Sequence, residues 1–480
     1  MGRGANRKEP ARNQETVITN GKWIWVNLPA LEYEGVWWLP ETPDEKISGK
    51  ITYDYGQNPT LSLNGMFGDS EGEEFFPIIL GDCKGKKITL VRCFTLGTST
   101  LSVRGMGSYQ YSNFDAGYLC EGGHFPRRED IKFTRLSVKY SHLRDWLGGR
   151  VFNTSKNEET EQEYILRVPK NVPNEFVVNN YRLTIRGVVT RQHDGYKDSF
   201  GRDALFIVEP FEQENYDSLF RMIYHMKNFL WFAIGDDISI LSIKGEVSGA
   251  QPWERVNILS AYTMGEKLAE QHHAYAAYGS PIKYSEIEKQ MVNIFGNWLK
   301  ITNELAPVYQ LFFGTKEQKL YPVTEFLGLS QAIEAYHSRR FDNRIVIDEL
   351  FNRNIDGIDA IVTRFPQQNQ TEFRGKVQYW NRKSLRKRTK ELCAQFQAIF
   401  NVFLDDEQAF ISKFVDTRNY YTHYDPTAQN HVDDKELMFL TEKVRFMVIA
   451  LLLKELGLDD GQADITMRIY ASRGIRAIYS

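Results

Sequence analysis

The hydrophobic pattern of this chain changes its period near residue 282. Between residue 23 and about residue 208, apolar and polar residues alternate in several short runs, which are separated by glycine-containing turns. Examples are Ile51, Tyr53 and Tyr55, then Leu136, Val138 and Tyr140, then Tyr181, Leu183 and Ile185. Beyond residue 282, apolar residues instead recur every three or four positions, as they do at Leu437, Leu440, Val444, Met447 and Leu451. The first period is that of strands with one buried face and the second that of amphipathic helices, so two different domains are required.

These patterns predict an α+β multidomain fold, in which an N-terminal β-rich domain, sandwich- or barrel-like, is followed by an all-α helical bundle. Residues 1–20 are polar and lack an apolar stretch, which predicts a disordered N-terminal tail. The β-rich domain is expected at residues 21–280 and the helical domain at 281–480. Within the β-rich domain, a helix is predicted at residues 216–232, because Leu219, Ile223, Met226 and Leu230 mark one face.

Composition and charge indicate the cellular setting and the kinds of partner that this chain is expected to have. Its 480 residues include only four cysteines, which are too scattered for a disulfide framework and favour a reducing, cytoplasmic setting. The longest strongly apolar run, at residues 446–453, is much shorter than the roughly 20 residues that cross a bilayer, so no membrane partner is expected. The formal net charge is −3, so a nucleic-acid partner would have to be held by a local basic patch.

The segment at residues 405–426, DDEQAFISKFVDTRNYYTHYDP, carries the strongest chemical signal. Asp405 is in position to cap a helix, and Pro426 disfavours helical geometry at the preceding residue, so the helix should end near Tyr424. Arg418 and His423 then lie in or near its last turn, where the helix dipole favours cations. A histidine in that position can act as a general acid or base, and Asn419, four residues before it, shares its face and could orient the imidazole.

An arginine followed at this distance by a histidine is not by itself informative. About two such matches are expected by chance in a chain of this composition, and three occur: Arg135 with His142, Arg186 with His193, and Arg418 with His423. The first two pairs lie in sequence with the period of strands, whereas the third lies on a predicted helix. The plain alternative is that Arg418 and His423 only cap that helix.

The stretch DTRNYYTHYDP resembles the active-site helix of ApeA-like HEPN domains, whose signature is Arg-Asn-x-x-x-His. Three further stretches share the resemblance, FLGLSQAIEAYHSRRF, SLRKRTKELC and KELMFLTEKVRFMVIALLLKELG, and KISGKITYDYGQNPTLSLNGMFG resembles the start of the β-rich domain of such proteins. The resemblance implies a prokaryotic anti-phage effector that stops infection by cleaving RNA, with tRNA as one candidate substrate. It also implies a homodimer or dimer-based oligomer, and a β-rich domain that senses a phage-encoded activator or restrains the nuclease.

The resemblance further implies metal-independent cleavage through the ribose 2′-hydroxyl. His423 would take the proton of that hydroxyl, Arg418 would stabilise the phosphate, and Asn419 would position either the histidine or the phosphate. Glu334 matches an acidic position of the family and could pair with Arg418, although an ordinary pairing within its own helix is an equal alternative.

Substrate-binding residues are predicted in a basic segment that precedes the motif. The run RKSLRKRTK at residues 382–390 would place Arg382, Arg386 and Lys390 on one helical face, and with Lys387 these residues could hold RNA phosphates. The alternative is a solvated helix face. Tyr421 could stack on a base, although a tyrosine that faces the bundle with its hydroxyl bonded is the alternative.

No cofactor is expected from the sequence. The glycine-containing segments at residues 81–86 and 105–107 each lack residues that a nucleotide-binding loop needs. Cys120 and His124 have a spacing seen in metal sites, and Cys83 and Cys93 could complete four ligands. The chain has no C-x-x-C pair, however, so no metal site is predicted. The competing functional hypothesis is a non-catalytic protein whose β-rich domain recognises a protein or sugar and whose helical domain only dimerises.

Overall fold

The structure, a computed structural model, describes residues 14–19, 22–27, 31–68, 74–103, 107–148, 153–156, 164–167, 173–193, 195–247, 255–265, 279–317, 320–377, 379–424 and 430–479. The chain divides into two compact units, Met1–Val292 and Asn293–Ser480.

The first unit is built mainly of antiparallel strands. Its strands are β1 (Gln14–Thr19), β2 (Lys22–Asn27), β3 (Leu31–Trp38), β4 (Ile47–Tyr53), β5 (Thr60–Leu63), β6 (Phe75–Cys83), β7 (Lys86–Val103), β8 (Gly107–Glu121), β9 (Lys132–Phe133), β10 (Arg135–Tyr140), β11 (Asn153–Lys156), β12 (Tyr164–Arg167), β13 (Asn174–Val178), β14 (Tyr181–His193), β15 (Asp198–Pro210), β16 (Glu214–Asn215), β17 (Ile240–Glu246) and β18 (Arg255–Ser260). The described helices are α1 (Leu143–Trp146), α2 (Tyr216–Ile234) and α3 (Tyr284–Ile287), with short 3-10 turns at Arg128–Asp130 and Glu288–Gln290.

Six of these strands close into a barrel. Strands β8, β5, β4, β3, β6 and β7 are hydrogen-bonded in that order, and β7 pairs back with β8. Beyond β8 the sheet continues through β18, β17, β10, β15, β14 and β13, which gives twelve strands in all. The prediction of a β-rich domain of sandwich or barrel type is confirmed, and the barrel is the form that the chain adopts.

The alternation of the sequence becomes the inside and outside of the barrel. The inward side chains form one apolar cluster that includes Trp37, Ile51, Leu61, Phe76, Ile79, Leu90, Phe114 and Leu119. Glycine is required at position 81 of β6, opposite Trp37 of the neighbouring strand β3, because a Cβ atom there would lie 2.3 Å from the ring of Trp37. The barrel therefore fills its interior with side chains and packs one strand closely against an indole.

The N-terminal prediction is wrong in part. Residues 14–19 lie within the predicted disordered tail, yet they form β1 and pair with β2 from Gln14 opposite Asn27 to Thr19 opposite Lys22. The intervening Asn20-Gly21 is a sequence typical of tight hairpins, and the β-branched run before it favours a strand. Residues 1–13 lie outside the described part of the chain.

Helix α2 confirms the helix predicted at residues 216–232. Its N-cap is Asn215, whose side chain accepts a hydrogen bond from the Ser218 amide at 3.0 Å, and it ends at Gly235 in the left-handed conformation. All four residues of the predicted face are buried. The helix therefore joins the strands of the first unit through its apolar side.

From Met291 onward, the regular elements of the described chain are helices joined by loops. They are α4 (Met291–Glu304), α5 (Ala306–Glu317), α6 (Pro322–Arg340), α7 (Asp348–Arg353), α8 (Ile355–Val362), α9 (Gln367–Val377), α10 (Leu385–Gln395), α11 (Gln397–Phe400), α12 (Glu407–His423), α13 (Asp434–Leu456) and α14 (Asp460–Tyr479). This confirms the predicted helical bundle.

Helices α6, α12 and α13 contribute to the core of the bundle. The rings of Phe326 on α6 and Phe414 on α12 meet edge to face, with centroids 6.1 Å apart, and both are fully buried. The predicted stripe on α13, from Leu437 to Leu451, is buried as expected, and residues on the other side of its C-terminal half, such as Ile449 and Leu453, are buried too. No helix among the described residues is both long enough and apolar enough to cross a membrane.

Candidate active site

Helix α12 places the motif at its C-terminal end. Phe410, Ile411 and Phe414 anchor one side of it in the bundle. Its N-cap is Asp406, whose carboxylate accepts a hydrogen bond from the Ala409 amide at 2.9 Å, so the prediction that Asp405 caps the helix is wrong by one residue. The helix ends at His423, and Tyr424 adopts the left-handed conformation with φ of 49°. The predicted end of the helix is confirmed.

Arg418 is held by an acid from another helix. Its Nη2 donates to Oε1 of Glu334 on α6 at 2.8 Å, and both side chains are roughly three-quarters buried. The second carboxylate oxygen of Glu334, Oε2, lies 3.8 Å from Nη1 of Arg388 on α10. One carboxylate therefore lies between two guanidinium groups, and three helices meet at the motif.

Arg388 is the more buried of the two arginines. Its guanidinium also donates to the Lys383 carbonyl at 3.0 Å and to the Ser338 hydroxyl at 3.3 Å. Burial lowers the pKa of Arg388, the nearby Arg382 and Arg418 act in the same direction, and Glu334 opposes them. An arginine stays charged even with such a shift. Arg388 therefore adds a permanent positive charge at the second carboxylate oxygen of Glu334, whose first oxygen holds Arg418.

His423 and Asn419 lie on the exposed side of α12. The amide oxygen of Asn419 accepts from Nη1 of Arg418 at 3.3 Å, and among the described residues no hydrogen bond joins Asn419 to His423. The expected orienting contact is replaced by one that positions Arg418. The side chain of His423 is exposed, and it makes no hydrogen bond or ion pair with any residue in the described part of the chain, which omits residues 425–429.

The basic segment lies beside the motif helix. Arg386 on α10 contacts Asp416 on α12, with Nη2 and Oδ1 3.1 Å apart, and Asp416 also accepts from the Ser412 hydroxyl. Lys387 and Lys390 are exposed on the same helix. Arg382 does not share their helical face, because α10 begins only after the N-cap Ser384, and its guanidinium instead lies over the ring of Tyr379 at 5.1 Å. That part of the prediction is wrong, since the chain turns into the helix two residues later.

Tyr421 is half-buried rather than fully displayed. Its hydroxyl donates to the Val432 carbonyl at 3.3 Å, and its ring meets Phe326 edge to face at 6.5 Å. Burial raises the pKa of the phenol, and nearby acids act in the same direction. Tyr421 thus faces the bundle with its hydroxyl hydrogen-bonded, which is the alternative to a base-stacking role.

A buried histidine beneath the site was missed by sequence reasoning. His337 on α6 is fully buried, and its Nε2 lies 2.8 Å from Oε2 of Glu391, which also pairs with Lys383 at 2.8 Å. Burial lowers the pKa of His337, and Glu391 opposes the shift. The available signal was helical spacing, since His337 and Glu334 are one turn apart and share a face. The network ties α6 to α10 one helical turn along α6 from Glu334.

The two other Arg–His pairs lie in the β-rich unit, as predicted from their context. Arg135 is in β10 and pairs with Glu209 and Glu246, whereas His142 is buried at the start of α1. Arg186 and His193 are both in β14. Neither pair shares a helix.

The helical bundle and its motif helix define a HEPN-type domain, and comparison with protein families agrees. Residues 327–462 match the Apea-like HEPN family, and residues 32–298 match ApeA N-terminal domain 1. The chain belongs to the family of ApeA proteins, which combine this β-rich domain with an ApeA-like HEPN domain. An ApeA-like HEPN domain indicates the HEPN nuclease family of anti-phage effectors. No curated protein and no solved structure matches the chain significantly.

Proposed function

We propose that this protein is a metal-independent endoribonuclease that acts in anti-phage defence, by abortive infection in the cytoplasm. The observation that carries the proposal is the end of α12. There Arg418 is fixed by Glu334, and His423 is exposed to solvent one turn further along. A phosphate stabiliser and a proton acceptor are the two groups that cleavage through a 2′-hydroxyl requires.

In the proposed reaction His423 accepts the proton of a ribose 2′-hydroxyl. The freed oxygen attacks the adjacent phosphorus, the bond to the 5′-oxygen breaks, and a protonated imidazole or a water supplies the proton that the leaving oxygen takes up. The products carry a 2′,3′-cyclic phosphate and a 5′-hydroxyl. Because the nucleophile belongs to the substrate, the reaction does not need an activated water and should fail on DNA.

The contacts of Arg418 support its proposed role. A guanidinium has five N–H donors, of which one is directed to Glu334 and one to Asn419. The remaining donors make no hydrogen bond with a residue that the structure describes, so a phosphate could accept from them. The two contacts also reduce the number of rotamers that the side chain must give up on binding. A held arginine stabilises developing charge better than a mobile one because less reorganisation is needed.

Arg386, Lys387, Lys390 and Arg382 are proposed to guide the RNA backbone toward this end of α12. The contact between Arg386 and Asp416 supports the placement, because it brings the basic helix alongside the motif helix. Tyr421 is a weaker candidate for a base contact, given its packing on Phe326. tRNA is one candidate substrate, and we propose that the β-rich domain responds to a phage-encoded activator.

The proposal is tested by removing the two groups separately. Arg418→Ala and His423→Ala should each abolish cleavage of total RNA and cellular toxicity without unfolding the protein. The thermal unfolding midpoint should hardly change for His423→Ala, because that side chain is exposed at the helix end. It should fall by about 2 to 4 °C for Arg418→Ala, which breaks the partly buried ion pair with Glu334. His193→Ala, which alters the histidine of another Arg–His pair, is the matched control and should cleave normally. The proposal is refuted if Arg418→Ala and His423→Ala cleave RNA as fast as the His193→Ala control. EDTA-sensitive cleavage that leaves 5′-phosphate products would refute the metal-independent mechanism.

A further inference from the structure

Two adjacent aromatic side chains are exposed just before the basic helix. Tyr379 is 56% exposed and Trp380 is 50% exposed. Among the tryptophans whose side chains the structure describes, Trp380 is the most exposed, whereas Trp37, Trp146 and Trp298 are almost fully buried. Neither the Tyr379 hydroxyl nor the Trp380 indole N–H donates a hydrogen bond to another described residue. Two large aromatic side chains exposed next to each other indicate a binding surface for a ligand or a partner molecule.

The chain around these aromatics is fixed rather than loose. Asn381 is buried, and its side chain bonds both the amide and the carbonyl of Val346, each at 2.9 Å. Its own carbonyl accepts from the Ile345 amide at 3.0 Å, and the Lys383 amide donates to Asn343 at 2.9 Å. Tyr379 and Trp380 are therefore displayed from a turn that is held in place at Asn381, so little ordering is needed when a ligand binds.

The charges next to the aromatics favour an anionic partner. The guanidinium of Arg382 lies over the Tyr379 ring, and Arg386, Lys387 and Lys390 follow on α10. A protein partner of the apolar kind would be opposed by this run of cations, whereas single-stranded nucleic acid presents bases to stack and phosphates to neutralise. The combination of exposed aromatics with interleaved basic residues is typical of surfaces that bind single strands.

This aromatic turn is continuous with the candidate active site. Arg386 is the sixth residue after Trp380, so the two are at most about 20 Å apart even in a fully extended chain. Arg386 contacts Asp416 on the motif helix, and Arg388, two residues later, contacts the carboxylate that holds Arg418. A strand that leaves the motif along α10 would therefore reach Tyr379 and Trp380.

We propose that Tyr379 and Trp380 form a base-stacking subsite for single-stranded RNA, flanked by Arg382, which positions unpaired nucleotides on the path to Arg418 and His423. The proposal rests on the proposed function for its choice of RNA over other single-stranded ligands. Because stacking does not read base edges, the subsite is expected to distinguish unpaired from paired RNA rather than one sequence from another.

The test measures binding apart from cleavage, in a His423→Ala background of the full chain. Binding of fluorescein-labelled oligo(A) and oligo(U) is followed by anisotropy, together with the duplex that the two form. Trp380→Ala should weaken binding of either single strand about tenfold or more, and Trp380→Phe, which keeps an aromatic face, should restore most of it. Duplex binding should change little. Tyr321→Ala, which removes another highly exposed aromatic of the helical unit, is the control and should bind normally.

The possible outcomes separate this proposal from the proposed function. If Trp380→Ala weakens single-strand binding but the protein with His423 intact does not cleave RNA, the subsite is upheld and the nuclease proposal is refuted. Normal single-strand binding by Trp380→Ala and Tyr379→Ala, when the parent of the background cleaves RNA, would refute the subsite alone. An equal loss of single-strand and duplex binding would overturn stacking. A Trp380→Ala variant with unchanged RNA affinity but a smaller assembly in light scattering would show that the turn contacts protein instead.

Discussion

At the scale of single residues, Glu334 is the group around which the candidate site is arranged. Its two carboxylate oxygens face Arg418 and Arg388, so it offsets the repulsion between two cations and fixes the one that is proposed to meet the phosphate. The sequence could place Arg418 and His423 together because they lie on one helix. Spacing alone could not place Glu334, which lies 84 residues earlier, because that contact depends on how α6 packs against α12. The family resemblance offered this pairing as one of two alternatives, and it is the one that the structure has.

Glu334→Gln should separate catalysis from binding. The amide keeps the shape of the side chain but loses the charge, so Arg418 becomes less well held and the two arginines repel each other. We expect cleavage to fall about tenfold or more, RNA affinity to stay the same or rise slightly, and the free energy of unfolding to fall by about 1 kcal/mol. Cleavage kinetics and binding to a His423→Ala version would measure the two effects.

A matched control for that change is Glu372→Gln, which breaks an exposed pair with Lys376. It should alter neither cleavage nor stability measurably, because exposed ion pairs contribute little. Full cleavage by Glu334→Gln would show that Arg418 does not need the acid for its orientation.

At the scale of helices and strands, periodicity was sufficient where an element has one buried face. The predictions of α2, the stripe on α13 and the alternating strands are confirmed on those grounds. Periodicity gave no warning of α7, α8 and α9, because these short helices leave apolar residues exposed, among them Leu350, Ile355 and Ile361. It also missed β1, where a six-residue strand lay within a segment that composition marked as polar.

The N-terminal boundary of α12 depends on which of two adjacent aspartates caps the helix. Two aspartates stand side by side, and the sequence alone does not decide between them, whereas in the structure the carboxylate of Asp406 accepts the Ala409 amide. Asp406→Ala should therefore lower the free energy of unfolding by about 1 kcal/mol, because it leaves that amide without its acceptor. Asp405→Ala is the natural control and should change stability by less than about 0.5 kcal/mol.

Urea denaturation followed by far-UV circular dichroism compares the two variants directly. Cleavage by both should be close to that of the unaltered protein, since the cap lies at the opposite end of the helix from His423. Equal losses of stability would mean that the two aspartates share the cap.

At the scale of the whole molecule, the small number of catalytic groups in the candidate site, one arginine and one histidine, favours a dimer of the protein. A single imidazole that accepts the 2′-hydroxyl proton leaves the 5′-oxygen in need of a second proton donor, which a partner's motif could supply. Two motifs about a two-fold axis would bring four cationic or nearly cationic groups together. The pairing of each Arg418 with Glu334 reduces this repulsion, whereas Asp416, another acid on the motif helix, is already paired with Arg386.

Mixing inactive subunits tests whether the site is shared. If each proposed site takes its arginine from one copy and its histidine from the other, then Arg418→Ala and His423→Ala subunits, each inactive alone, should regain a fraction of the cleavage activity when they are unfolded and refolded together. In a mixed dimer one of the two composite sites carries both mutations and the other carries neither, so one intact site results. Refolding Arg418→Ala with an Arg418→Ala, His423→Ala double variant is the control and should stay inactive, because every composite site then lacks its arginine. Light scattering on the same samples reports whether mixed dimers have formed. Dimers that form without regaining activity would exclude a site that takes its arginine from one copy and its histidine from the other. A monomer at micromolar concentration that cleaves RNA would exclude any shared site.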